Sequence, residues 1–156
     1  MARAKWMLGI VAFGLFVSGV TVWPAIPELK FAVTLLWGDS EPNAGLHLFL
    51  TEVIQSLEYT SKTHPYLLYG YDWLAFAHIC LAILFAGAIR DPVRNKWVVE
   101  SGLIFCLLIP ILAGIRIPLR GIPGYWFFFD AIFAPAAGIP LYLALREIRK
   151  LEKSQP

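Results

Sequence analysis

Charge is what this sequence has least of. Its 156 residues hold 13 Lys+Arg and 11 Asp+Glu, 15% in all, where soluble domains carry about a quarter. That shortage excludes an ordinary soluble surface. A net charge of +2 is too small to argue for nucleic acid as a partner. Cysteine is nearly absent as well. Cys80 and Cys106 form no CxxC or metal-type spacing, and both fall within apolar segments, where they read as buried free thiols. No phosphate-binding loop, nucleophile elbow or metal signature occurs. Histidine is scarce too, and only His78 falls inside an apolar run. Bis-His haem needs two imidazoles on facing helices near one depth, so only two copies of the chain could share one. His47, Glu52, Glu58 and His64 match no recognised metal spacing. No cofactor and no metal is therefore expected.

What is present is apolar: 58% hydrophobic residues, with 11 Phe and 6 Trp, and a mean hydropathy of +0.65. This composition points to a membrane protein. A hydrocarbon core about 30 Å thick is crossed by roughly 20 apolar residues in helix. The runs at 6–23, 66–89, 97–117 and 125–145 meet that length. The first has Trp6 and Trp23 at its ends and runs into Trp23-Pro24 rather than a small-x-small site, so it reads as an uncleaved span, not a leader. Short links at 90–96 and 118–124 make the later spans antiparallel neighbours. The expected fold is all-α: a four-transmembrane-helix bundle forming one membrane domain over 1–156, with a longer outer segment at 24–65.

Lysine and arginine set the orientation. Nine lie on one side (Arg3, Lys5, Arg90, Arg94, Lys96, Arg146, Arg149, Lys150, Lys153) and four on the other (Lys30, Lys62, Arg116, Arg120). With an even number of spans, both termini are expected in the cytoplasm, with 24–65 outside.

Within the outer segment, Ser40 is a plausible N-cap with Pro42 in the first turn. Leu46, Phe49, Leu50, Val53 and Leu57 then recur on one helical face, which predicts an amphipathic helix lying on the outer leaflet or capping the bundle. The preceding KFAVTLLWG reads as either a short strand or a dipping loop. Pro110 is expected to break the third span, and Pro135 and Pro140 the fourth, leaving carbonyls free to line a cavity between spans two, three and four.

Inside the spans the polar residues can be placed by depth. His78 falls near the midplane, and Asp72 lies about 9 Å nearer the outer face at the helical rise of 1.5 Å per residue. Asp130 sits at a similar outer depth, and Arg116 and Arg120 close the outer end of the third span. Asp91, Arg94, Asn95 and Glu100 form an inner group, with Arg146 and Glu147 at the same level. Ionisable residues inside a membrane cost roughly 2.5–3.5 kcal/mol each on insertion scales, so they mark functional sites by default. Two other readings stand beside that one: ion pairs that hold helices together, or arginines reaching for the interface. Asp72 and His78 are about 120° apart on one helix, so a direct Asp–His dyad is not expected. His78 is either a hydrogen-bonded His within the bundle or one that binds a ligand or handles a proton.

The stretches YGYDWLAFAH (69–78), RDPVRNKWVVE (90–100) and RGIPGYW (120–126), followed by Asp130, resemble a set of small, uncharacterised bacterial inner-membrane proteins with four predicted spans. The similarity covers roughly the last 90 residues of the chain, and RDPVRNKW is its most specific part. It implies the topology and a bacterial inner-membrane location, and carries no activity. In span number the chain is also similar to the sterol isomerase and sigma-2 receptor superfamily. Those proteins carry a key acid in their first span, whereas residues 6–23 here contain no charge, so that likeness is architectural.

Three functions follow. The chain binds an apolar or amphipathic, lipid-like molecule in an outer pocket walled by Trp73, Phe76, Trp126 and Phe129, with Asp72, Asp130, Arg116 and Arg120 fixing its polar end and His78 deeper. Alternatively it is an acid/base enzyme on a lipid-like substrate, using Asp72 or Asp130 with His78. Or it is a non-catalytic accessory subunit, its polar groups meeting a partner or a second copy. Membrane lipids are expected partners in every case.

Overall fold

A computed structural model describes residues 1–38 and 45–153; among these no strand occurs. Seven helices follow one another: α1 (Ala2–Val22), α2 (Ala25–Trp37), α3 (Gly45–Thr63), α4 (Tyr69–Arg90), α5 (Lys96–Leu119), α6 (Trp126–Ala131) and α7 (Phe133–Lys153), with a single 3-10 turn at Pro65–Leu68 before α4. Among the described residues four helical stretches are long and apolar enough to cross a membrane: Ala2–Val22, Pro65–Arg90, Lys96–Leu119 and Trp126–Lys153. They coincide with the four runs expected from hydropathy. The fourth continues beyond the expected end at 145, because Ile148 keeps the apolar stripe of Leu141, Ala144 and Leu145 going for another turn, and all four are buried.

The third and fourth stretches treat their prolines differently. α5 runs unbroken through Pro110, and α7 through Pro140, rather than stopping there. Each proline removes one intrahelical donor, which a helix packed along its length tolerates. The interruption comes instead at Ile132, between α6 and α7. Pro135 has no N–H for the Ala131 carbonyl and its ring crowds that oxygen; bonding resumes with Ala136 N–H to Ile132 O at 3.1 Å.

The chain divides into two compact units. One comprises Met1–Leu15 and the chain from Leu81 on. Its core joins Ala4, Leu8 and Val11 of α1, Phe85 and Ala88 of α4, Val98, Val99 and Cys106 of α5, and Leu141, Ala144, Leu145 and Ile148 of α7. α5 packs extensively along α7. Small residues make the close approach possible: a Cβ on Gly102 would lie 2.9 Å from both Leu141 Cδ1 and Phe85 Cζ.

The other unit is Phe16–Cys80. Here α1 meets α4 at Gly19, whose Cβ position would be 2.9 Å from the Ala75 carbonyl oxygen. α2 packs on α3, and Lys30 of α2 pairs with Glu58 of α3. α3 is the expected amphipathic helix: Leu50 and Ile54 are buried while Glu52 and Gln55 are exposed. The proposed Ser40 cap and Pro42 lie outside the described residues.

KFAVTLLW is neither strand nor dipping loop but the body of α2. A lone strand would leave its N–H and C=O groups without partners, whereas a helix satisfies them internally, an advantage that grows in apolar surroundings. Local chemistry agrees. Pro24 precedes the helix, Glu28 stands in its first turn, and Gly38 ends it at φ 60° with its N–H donated to Thr34 O.

Candidate functional site

The α5–α6 hairpin sets an apolar groove beneath a glycine turn. α5 ends in a Schellman motif. Gly121 adopts φ +67°, Ile122 N–H bonds Ile117 O at 3.1 Å, and Gly121 N–H bonds Pro118 O at 3.3 Å. This turn brings Ile122 back over Ile117, the hydrophobic contact that usually accompanies the motif. Below the turn lies an open groove of about 330 Å3 lined by Ala113, Gly114, Ile117, Pro118, Ile122, Gly124 and Phe127.

Charged residues lie near it in the chain: Arg116 and Arg120 follow the lining residues Ala113 and Ile117 by three positions, and Asp130 follows Phe127 by three. Both arginines are exposed and Asp130 is half-buried. Among the described residues none of the three makes an ion pair or a side-chain hydrogen bond. The helix-tying ion pairs considered for them are thus absent within this unit. Trp126 is half-buried on the same helix and packs on Phe129 at 5.2 Å between ring centres.

Asp72, Trp73 and His78 belong to the Phe16–Cys80 unit. Asp72 is exposed in the first turn of α4, and no hydrogen bond joins it to His78 among the described residues. His78 is half-buried, and its Nδ1 lies 2.8 Å from the Leu74 carbonyl oxygen of its own helix. A carbonyl oxygen only accepts, so Nδ1 carries the proton donated to it. Trp73 stacks edge-on with Tyr69 and with Phe76, at 6.0 and 5.8 Å. With Tyr59, His64 and Tyr66 in edge contact nearby in sequence, this unit presents an aromatic girdle. Among the described residues no polar or charged side chain is fully buried.

The inner group is a built structural corner. Asp91 Oδ1 accepts from Arg94 N–H at 3.1 Å. Asn95 Nδ2 donates to Gly87 O at 3.2 Å and to Asp91 O at 3.0 Å, capping the end of α4. Lys5 Nζ donates to Arg90 O at 3.3 Å. Glu100 pairs with Arg149 at 3.4 Å, and Lys96 with Glu152 at 2.7 Å. The sequence set Arg146 and Glu147 at this level and counted Arg149 on the same side, but did not single out Arg149 or Glu152 as partners; the continuing apolar stripe of α7 was the available signal.

The four residues weighed as a metal set do not gather. His47 lies edge-on to Trp37 at 5.2 Å, Glu58 is held by Lys30, and His64 Nδ1 contacts Tyr66 Oη at 3.4 Å. Among the described residues no group of three or more His, Cys, Asp or Glu side chains is placed to share one ion. No protein family, curated protein or solved structure matches the chain.

Proposed function

We propose that the chain is a multi-pass protein of a bacterial inner membrane, with both termini cytoplasmic, that binds an anionic amphiphile at the α5–α6 hairpin. The nine-to-four distribution of Lys and Arg between the two sides supports the orientation. The observation that carries the ligand reading is the groove itself. Its lining is apolar, and Arg116, Arg120 and Asp130, close to lining residues in the chain, make no ion pair among the described residues. The excess of cations selects an anionic head, and Arg forks match carboxylate or phosphate oxygens. The groove's openness fits a molecule that keeps part of its surface in lipid, unlike a fully enclosed drug-sized ligand.

The test is native mass spectrometry of the protein in mild detergent with identification of what co-purifies. Wild type is expected to carry a small anionic amphiphile. The double variant Arg116→Gln/Arg120→Gln loses it, as does Gly114→Val, whose side chain enters the groove beside Phe127. A wild-type chain that arrives empty, or a double variant that keeps the molecule, overturns the reading.

A second reading, an accessory subunit, draws on Asp72. This carboxylate is exposed at the start of a candidate span and makes no ion pair among the described residues. A partner or second copy supplying a cation would offset its cost in lipid. Masses above one chain that disappear with Asp72→Asn would favour it.

A further inference from the structure

We infer that the N-terminal end of α1 holds one anionic phospholipid of the cytoplasmic leaflet, with an acyl chain lying over Gly9 and its phosphodiester beside Lys5. α1 has two working faces. Ala4, Leu8 and Val11 are buried in the core of their unit. Lys5, Trp6, Gly9, Ile10 and Phe13 line an open groove of about 450 Å3 on another face. Gly9 adds no side chain to this groove, and a Cβ built there would meet nothing within 4 Å. Trp6 and Phe13 stand as its walls, 76% and 69% exposed.

One end of this apolar trough is cationic. Lys5 Nζ is held by the Arg90 carbonyl at 3.3 Å, which uses one of the ammonium's three donors and leaves two for an acceptor. Arg90 and Arg94 adjoin this anchor in the chain, and the Asp91 carboxylate is already engaged by Arg94 N–H. An anion with an apolar tail complements this arrangement, with cation and Trp at headgroup level and hydrocarbon below. A free inorganic anion would leave the trough unused. The cytoplasmic leaflet, whose surface is negative, supplies such molecules.

The inference rests on the membrane reading and orientation above, and not on the hairpin ligand. The full-length protein in mild detergent would be titrated with phosphatidylglycerol or phosphatidylcholine bearing identical oleoyl chains, and bound lipid counted by native mass spectrometry. Wild type is expected to retain phosphatidylglycerol about fivefold more tightly, the effect of roughly one lysine near a charged surface. Lys5→Gln loses that preference yet still takes up phosphatidylcholine. Gly9→Leu fills the trough and loses both lipids, and Phe13→Ala, which removes one wall, weakens both. Inorganic phosphate does not compete. The same titrations are run in the Arg116→Gln/Arg120→Gln background, where uptake at the hairpin is removed, which separates failure here from failure at the hairpin. Equal retention of the two lipids by wild type, undiminished binding in Gly9→Leu, or loss of a dimer in Gly9→Leu instead of lipid overturns the proposal.

Discussion

Gly19 of α1 faces the main chain of α4 so closely that a Cβ added to it would stand 2.9 Å from the Ala75 carbonyl oxygen and 3.2 Å from His78 Cβ. Backbone cannot swing aside as a side chain can. Gly19→Ala is therefore expected to cost about 1–3 kcal/mol through overpacking. Gly14→Ala is the control, because a Cβ there meets nothing within 4 Å. Unfolding of both variants in mixed detergent micelles checks this, and equal stability would refute the tight crossing.

Asn95 holds the α4–α5 corner by donating to Gly87 O and Asp91 O. Asn95→Asp keeps the shape but removes the amide donor, leaving those carbonyls to water. The expected loss is about 1 kcal/mol for the net worth of such bonds, read in the same unfolding assay. Faster amide exchange should be confined to the last turn of α4.

At the hairpin, Gly121 has φ +67°, a left-handed conformation that costs an L-residue about 1–2 kcal/mol. Gly121→Ala should destabilise by that amount. It should also pull Ile122 off Ile117, so amphiphile retention falls although no groove-lining residue has changed. Stability lost with retention intact would detach the Schellman turn from the site.

Glu58 provides a pH dependence. Its hydrogen bond and charge interaction with Lys30 hold the carboxyl below the ordinary value of 4.5. The folded-state pKa is the lower one. The stabilisation is thus fully present above the ordinary value and fades as pH falls through the depressed value. Protection against amide exchange in α2 and α3, taken relative to the intrinsic rate at each pH, should fall on acidification below the ordinary value of 4.5, and Glu58→Gln should flatten that response. The pair is exposed, so the effect is small.

The charge bias makes a topological prediction. A reporter that fluoresces only in the cytoplasm should be bright when fused after Pro156 and dark when inserted beside Lys62. Reversal of the two would invert every leaflet assignment made here.

The sequence by itself determined where the four long apolar helices run and which face of α3 turns inward. Hydropathy over about 20 residues and a 3.6-residue period are local properties that no distant neighbour alters. It also marked the positions of Arg116, Arg120, Asp130 and His78 within those helices. Tertiary structure alone decided the rest. Gly19 and Gly102 are pressed against neighbours while Gly9 and Gly14 face open space, although nothing local distinguishes them. Glu100 took Arg149, and Lys96 took Glu152, because α5 and α7 pack along one another and bring residues far apart in the chain to one level. α2 became a helix because isolated strand edges have nowhere to bond. The hairpin groove came from one left-handed glycine folding Ile122 back onto Ile117.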